Sequence, residues 1–131
     1  MGTAICLQKP PNPGCKGSNK AVQWSRMDKH EIIEAILESL PRPIVAVDEN
    51  HIILYMNRIA REKHSDLTGR SLLDCHSDSS VNKIYQIAGR LEAGETSITL
   101  RGEDGFIKSC FVAIQDYKGH FAGYYEMMDA R

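Results

Sequence analysis

Apolar residues from Asp28 onward recur with two different periods, and each change of period marks an element. Ile32, Ile33, Ile36, Leu37 and Leu40 recur at helical spacing, with Glu31, Glu34 and Glu38 mostly on the other side. They predict an amphipathic helix beginning at Ser25 or Asp28, which Pro41 and Pro43 end. Residues 44–48 and 52–56 are short apolar, β-branched runs. Asp48-Glu49-Asn50-His51 between them is turn chemistry, so the pair reads as a hairpin. Asn57 can cap a short helix over about 58–63. Gly69 breaks the chain, and Leu72 and Leu73 are expected to be buried in a following turn of helix.

Ser77 suits the N-cap of a longer helix, with Asp78 in its first turn against the positive end of the helix dipole. Val81, Ile84, Tyr85, Ala88 and Leu91 form its apolar stripe and Gly94 its stop. Residues 96–101 alternate with Ile98 and Leu100 on one face, and 106–115 and 121–128 read as two further strands separated by turns at 102–105 and 116–120. Antiparallel hairpins grouped around a helical middle define an α+β domain.

Composition narrows the reading. The 131 residues fit one domain, and 42% hydrophobic with 25% charged residues is ordinary for a globular chain. Residues 1–24 stand apart: Pro10, Pro11, Pro13, Gly14 and Gly17 crowd together with Lys9, Lys16 and Lys20. Such a stretch buries too little apolar surface to offset its ordering entropy, so a flexible tail is expected before a domain at 25–131. A formal net charge of -1 with no basic stripe argues against nucleic acid as a partner. No apolar run approaches the roughly 20 residues of a spanning helix, and the N-terminus lacks the apolar core of a signal peptide. Cys6 stands where an acylation motif takes Ser or Thr. A cytoplasmic location without a membrane partner is the expectation. Cys6, Cys15, Cys75 and Cys110 form no CxxC pair and read as free thiols, with no role assigned to Cys6 and Cys15.

The order of these pieces carries a resemblance. Ile44-Val-Ala-Val-Asp48, Ile52-Ile-Leu-Tyr-Met-Asn57, Gly69-Arg-Ser-Leu and the closing Gly119-His-Phe-Ala-Gly-Tyr-Tyr-Glu together resemble a PAS sensor domain over about 28–131. The resemblance implies a PAS fold: a five-stranded antiparallel sheet with helices packed on one face, a flanking helix at about 25–40, and any ligand held between sheet and helices. It implies a sensory or signalling module rather than an enzyme. The expected partners are a second copy of the chain, a small-molecule ligand and a signalling protein met in trans. The chain ends at Arg131 directly after the last strand, so it is expected to be either a stand-alone module or a piece of a longer receptor.

A narrower likeness concerns Asp74-Cys-His-Ser-Asp-Ser-Ser-Val-Asn-Lys-Ile84, which is similar to a Cys-His-x-x-x-Ser segment of a subset of bacterial PAS domains. In gas-sensing transcription regulators a His in a similar Leu-His-x-x-x-Ser context ligates haem iron. That likeness makes His76 the candidate proximal ligand of a haem b, with Met127, Met128 or Cys110 as a possible sixth ligand and Tyr85 in the pocket wall; neutral imidazole, thioether and thiolate are all ligands iron accepts. The segment usually carries Pro after the His, and here Ser77 stands there.

Two alternatives remain from the residues. Tyr85, Phe111 and Tyr125 could fill the cleft and leave a ligand-free dimerisation module. Cys75, beside a helix N-terminus that lowers a thiol pKa, could be a redox switch. Cys75 with His76 is not a nucleophile pair, since adjacent side chains rarely face each other and no third partner is evident. No phosphate-cradling glycine pattern is present. His30, His51, His64 and His120 read as exposed imidazoles in turns or on polar faces, and Trp24 as an aromatic packing where tail meets helix.

Overall fold

The computed structural model describes residues 27–129, apart from the Cys75 side chain. The calls on residues 1–24, including Cys6, Cys15 and Trp24, therefore lie outside the described residues. The chain divides into two compact units, Met1–Ala35 and Ile36–Arg131.

The described part of the first unit is the start of helix α1 (Lys29–Ser39). Asp28 opens the first turn by a reciprocal pair of bonds; the alternative start at Ser25 lies outside the described residues. Asp28 Oδ1 accepts from the Glu31 amide at 2.8 Å, and Glu31 Oε1 accepts from the Asp28 amide at 3.0 Å. This satisfies two of the free amides at a helix start. No residue of α1 is buried, and Ile32, Ile33 and Ile36 are exposed.

The second unit holds a five-stranded antiparallel sheet. Its strands are β1 (Ile44–Asp48), β2 (Ile53–Met56), β3 (Ser97–Arg101), β4 (Ile107–Gln115) and β5 (Phe121–Met128). They lie side by side in the order β2-β1-β5-β4-β3. Between β2 and β3 the chain forms helix α2 (Arg58–His64), a 3-10 turn (Leu72–Cys75) and helix α3 (Asp78–Glu92). The pleat sends alternate residues to opposite faces. Val45, Val47, Ile53, Met56, Ile98, Phe111 and Tyr124 share the inner face and form one core with Ala60, Leu72, Ile84, Ile87 and Leu91 from the helical segment.

Asn57 joins these layers. It is fully buried, and its Oδ1 accepts from the Ala60 amide at 3.1 Å, the predicted cap of α2, and from the Ile44 amide at 3.0 Å. Its Nδ2 donates to the carbonyls of Arg42 at 2.8 Å and Leu37 at 3.2 Å. A short polar side chain that satisfies four backbone groups at once is how a chain closes a buried corner without orphaned donors. At Gly123 the backbone has φ +147°, and a Cβ there would sit 2.1 Å from the Val47 carbonyl oxygen. The close approach of β5 to β1 thus requires glycine.

Helix α3 turns differently from its expected stripe. Ser77 is the N-cap as predicted, but the buried residues are Ile84, Ile87 and Leu91. Tyr85 points outward and is 53% exposed. Its ring meets His51 edge-on, with centroids 5.3 Å apart. The i, i+3, i+7 set through Ile87 faces the sheet, and Tyr85 falls about 100° off that line. His51, expected to be exposed, is half-buried with φ +66°, and its Nδ1 shares a 3.0 Å hydrogen bond with the Tyr124 hydroxyl. Burial pushes the Tyr124 phenol well above its usual range.

Candidate functional site

The cleft lies where the inner face of the sheet leaves the helical segment. Val45, Ile53 and Met56 from β1 and β2, Leu67 and Leu72 from the connecting segment, and Met128 from β5 enclose a largely apolar chamber of about 230 Å³. His64, at the end of α2, and His76, just past the 3-10 turn, stand at its edge. Two shallower depressions of about 430 and 390 Å³ adjoin it: the first shares His76 and Glu126 with the chamber, the second His64, Glu126 and Met128.

Glu126 borders all three spaces. It projects from β5 with Tyr124 and Met128, and its register partners across the sheet are Val45 and Phe111, both apolar. Its Oε2 accepts a 2.7 Å bond from Ser109 Oγ, and no described residue donates to Oε1. Burial raises the carboxyl above its ordinary value, while the Ser109 bond and the nearby imidazoles of His76 and His64 act in the opposite direction. The arrangement is a single carboxyl held among thioethers and aliphatic carbons, with two imidazoles within electrostatic reach. Among the described residues no three His, Cys, Asp or Glu side chains converge closely enough to hold a metal ion.

The candidate residues read from the sequence are split by the pleat. His76 and Met128 line the chamber. Met127 pairs with Ile44 and with Cys110, so both lie in register on the opposite face of the sheet. Cys110 there meets Thr99, whose hydroxyl lies 3.8 Å from its Sγ. Tyr85 stands outside the cleft beside His51. Of the aromatics expected to fill the cleft, Phe111 does face inward. Tyr125 is the register partner of Ala46 on the outer face, and Tyr124 takes the inner position instead. Glu126 and His64 were not singled out from the sequence. A lone acid at an inward position of an otherwise apolar strand was the available signal for Glu126.

On the far side of the sheet from the chamber, Glu38 in the last turn of α1 receives two bonds from Arg61, at 2.9 Å from Nη1 to Oε2 and 2.7 Å from Nη2 to Oε1. It also receives the Tyr55 hydroxyl. These donors, Arg61 first, lower the Glu38 carboxyl to about 2.

This sheet order, with its helical segment over one face and its cleft between, is matched by a family model. Residues 31–123 fit the model of the PAS fold, and the chain belongs to the PAS family. Solved structures agree on the fold. A C-terminal domain from Streptococcus mutans superposes with a TM-score of 0.61 at 22% identity, over 74% of this chain and 81% of that one. The PAS domain of BvgS from Bordetella pertussis gives 0.60 at 14% identity, over 78% and 86%. A sensory box sensor histidine kinase from Vibrio cholerae gives 0.53 at 12% identity, over 84% and 94%. No curated protein matched the sequence significantly. No helix among the described residues is long and apolar enough to cross a membrane.

Proposed function

We propose that the chain is a sensory module that binds a small organic molecule in the chamber between sheet and helices and passes its occupancy to a second copy or a signalling partner. The observation that carries this is the chamber itself: a largely apolar space with one half-buried carboxyl and two imidazoles at its edge. Predominantly apolar walls with a few convergent polar groups are the general make-up of small-molecule sites. No catalytic step is assigned: among the described residues no nucleophile, base and orienting group converge there. A ligand would act by favouring one packing of the Leu67–Leu72 wall over another. The exposed Ile32, Ile33 and Ile36 of α1 support pairing with a second copy. The test is a fragment screen by amide NMR, wild type beside Leu67→Trp, which fills the chamber. Shifts confined to chamber residues and lost in the variant support the reading; shifts scattered over the surface in both overturn it.

Haem is a second reading, favoured by His76 and Met128 on one chamber. The chamber, at about 230 Å³, is smaller than the ~300–1,000 Å³ of sites that enclose drug-sized ligands, a class that includes a macrocycle. To enclose a haem, the chamber would have to merge with the two outer depressions. Were haem bound, His76 would ligate its iron and the iron would supply gas or redox chemistry. A sharp Soret band at stoichiometric hemin, lost in His76→Ala, would establish this second reading; a free-hemin spectrum unchanged by the mutation would remove it. The thiol switch at Cys75 is tested by whether an oxidant changes oligomeric state in wild type and not in Cys75→Ser.

A further inference from the structure

Glu126 is the feature the domain's own stability least explains. A carboxyl flanked in register by Val45 and Phe111 loses hydration on folding, and only the Ser109 hydroxyl donates to it among the described residues. Burying a charge without a paired countercharge is costly. Replacing it with an apolar side chain would pack the strand without that cost. The half-buried carboxyl instead faces the chamber with one oxygen to which no described residue donates.

We infer that Glu126 recognises the protonated nitrogen of a small organic base, an amine or amidine whose apolar body lies against Met56, Leu72 and Met128. This rests on the chamber being the ligand site and names what that site selects. A charge-assisted bond to the oxygen that no described residue donates to would add to the carboxylate's hydrogen bonding and neutralise it in a half-buried, largely apolar space. The groups facing Glu126 are compatible with this occupant. His64 and His76 are neutral when deprotonated and can accept a second N–H from the same head. Lys63, Lys83, Lys108 and Arg101 border the outer depressions, where they are exposed to solvent and screened. A metal cation is the wrong occupant, because the carboxylate and imidazoles do not converge.

The experiment compares benzamidine with its neutral isostere benzamide, by amide NMR titration near pH 7.5, on wild type, Glu126→Gln and Leu67→Trp. The expected result is chamber shifts with benzamidine, at least about tenfold weaker binding of benzamide, and loss of that preference in Glu126→Gln, in line with the usual worth of one charge-assisted bond. Equal binding of both probes in the chamber, unchanged by Glu126→Gln, would overturn the inference and leave the small-molecule site intact. No chamber binding by either probe, or by the fragment screen, would overturn both. Should Glu126→Gln fail to fold, the wild-type preference is followed to low pH. It is expected to vanish as the carboxyl takes up its proton, and a preference that persists below pH 4 contradicts the inference.

Discussion

Replacing Asn57 by Ala removes one side chain and disturbs four backbone groups. Two of these lose the partner that Asn57 supplies: the Ile44 amide, bonded to Oδ1 at 3.0 Å, and the Arg42 carbonyl, bonded to Nδ2 at 2.8 Å. Each buried group left unpaired costs about 1–3 kcal/mol. The Ala60 amide loses its cap, worth about 1 kcal/mol. The Leu37 carbonyl still receives the Leu40 amide at 3.4 Å and adds little. The sum is about 3–7 kcal/mol, a large share of the roughly 5–15 kcal/mol by which a domain is stable. Asn57→Asp separates the two halves of the role: it keeps both acceptor bonds but turns a carboxylate toward two carbonyls, so a loss of more than about 2 kcal/mol is expected there too. The assay is urea unfolding followed by far-ultraviolet circular dichroism and tyrosine fluorescence, with exposed Asn50→Ala as a control expected within about 0.5 kcal/mol. A loss below about 1 kcal/mol for Asn57→Ala, at unchanged slope, would refute the claim that this residue joins sheet, helix and entry segment.

Three further outcomes are expected. Gly123→Ala should unfold the domain or cost more than about 3 kcal/mol, because its Cβ would overlap the Val47 carbonyl, whereas Gly69→Ala, at φ +90° with open space around it, should cost about 1 kcal/mol by denaturation. The Glu38 carboxyl, held at about 2, contributes stability that is full above its ordinary value near 4.5 and is lost as pH falls toward 2; Glu38→Gln should flatten that part of the stability curve, an effect of about 1 kcal/mol for a partly exposed pair, and an unaltered acid limb would contradict it. Glu126 has the opposite sign. Its folded value is raised, so the native state binds more protons and stability falls as pH rises from about 4.5 through that raised value. Glu126→Gln should remove the fall and raise the melting temperature at pH 7.5 by a few degrees, and a lower melting temperature there would show that the carboxylate stabilises the fold.

Much of the fold was legible because its signals are local. Asn57 and Ser77 announce their helices through cap chemistry, Asp48-Glu49-Asn50-His51 announces the hairpin, and the periods of 2 and 3.6 separate strands from helices. The PAS resemblance rests on the order of those same pieces. The site was less legible because it depends on register. In Tyr124-Tyr125-Glu126-Met127-Met128 all but Glu126 are apolar or aromatic, so alternation alone does not say which set faces inward. The pairing of β5 with β1 decides it by placing Tyr124 opposite Val47 and Glu126 opposite Val45. That register put Met128 rather than Met127 in the chamber and sent Cys110 to the other face. Tyr85 was misplaced for a similar reason: in α3 both Tyr85 and Ile87 extend a stripe from Ile84, and only packing against the sheet selects Ile87.

The most direct test of the ligand-binding account is a crystallographic fragment screen on the full chain. The account predicts that small nitrogen bases, and few acids, appear in the chamber between Met56, Leu72 and Met128 with a nitrogen within hydrogen-bond distance of Glu126. Fragments found solely on the outer surface, with the chamber closed by its own side chains, would contradict it and identify the domain as a module that signals without a ligand.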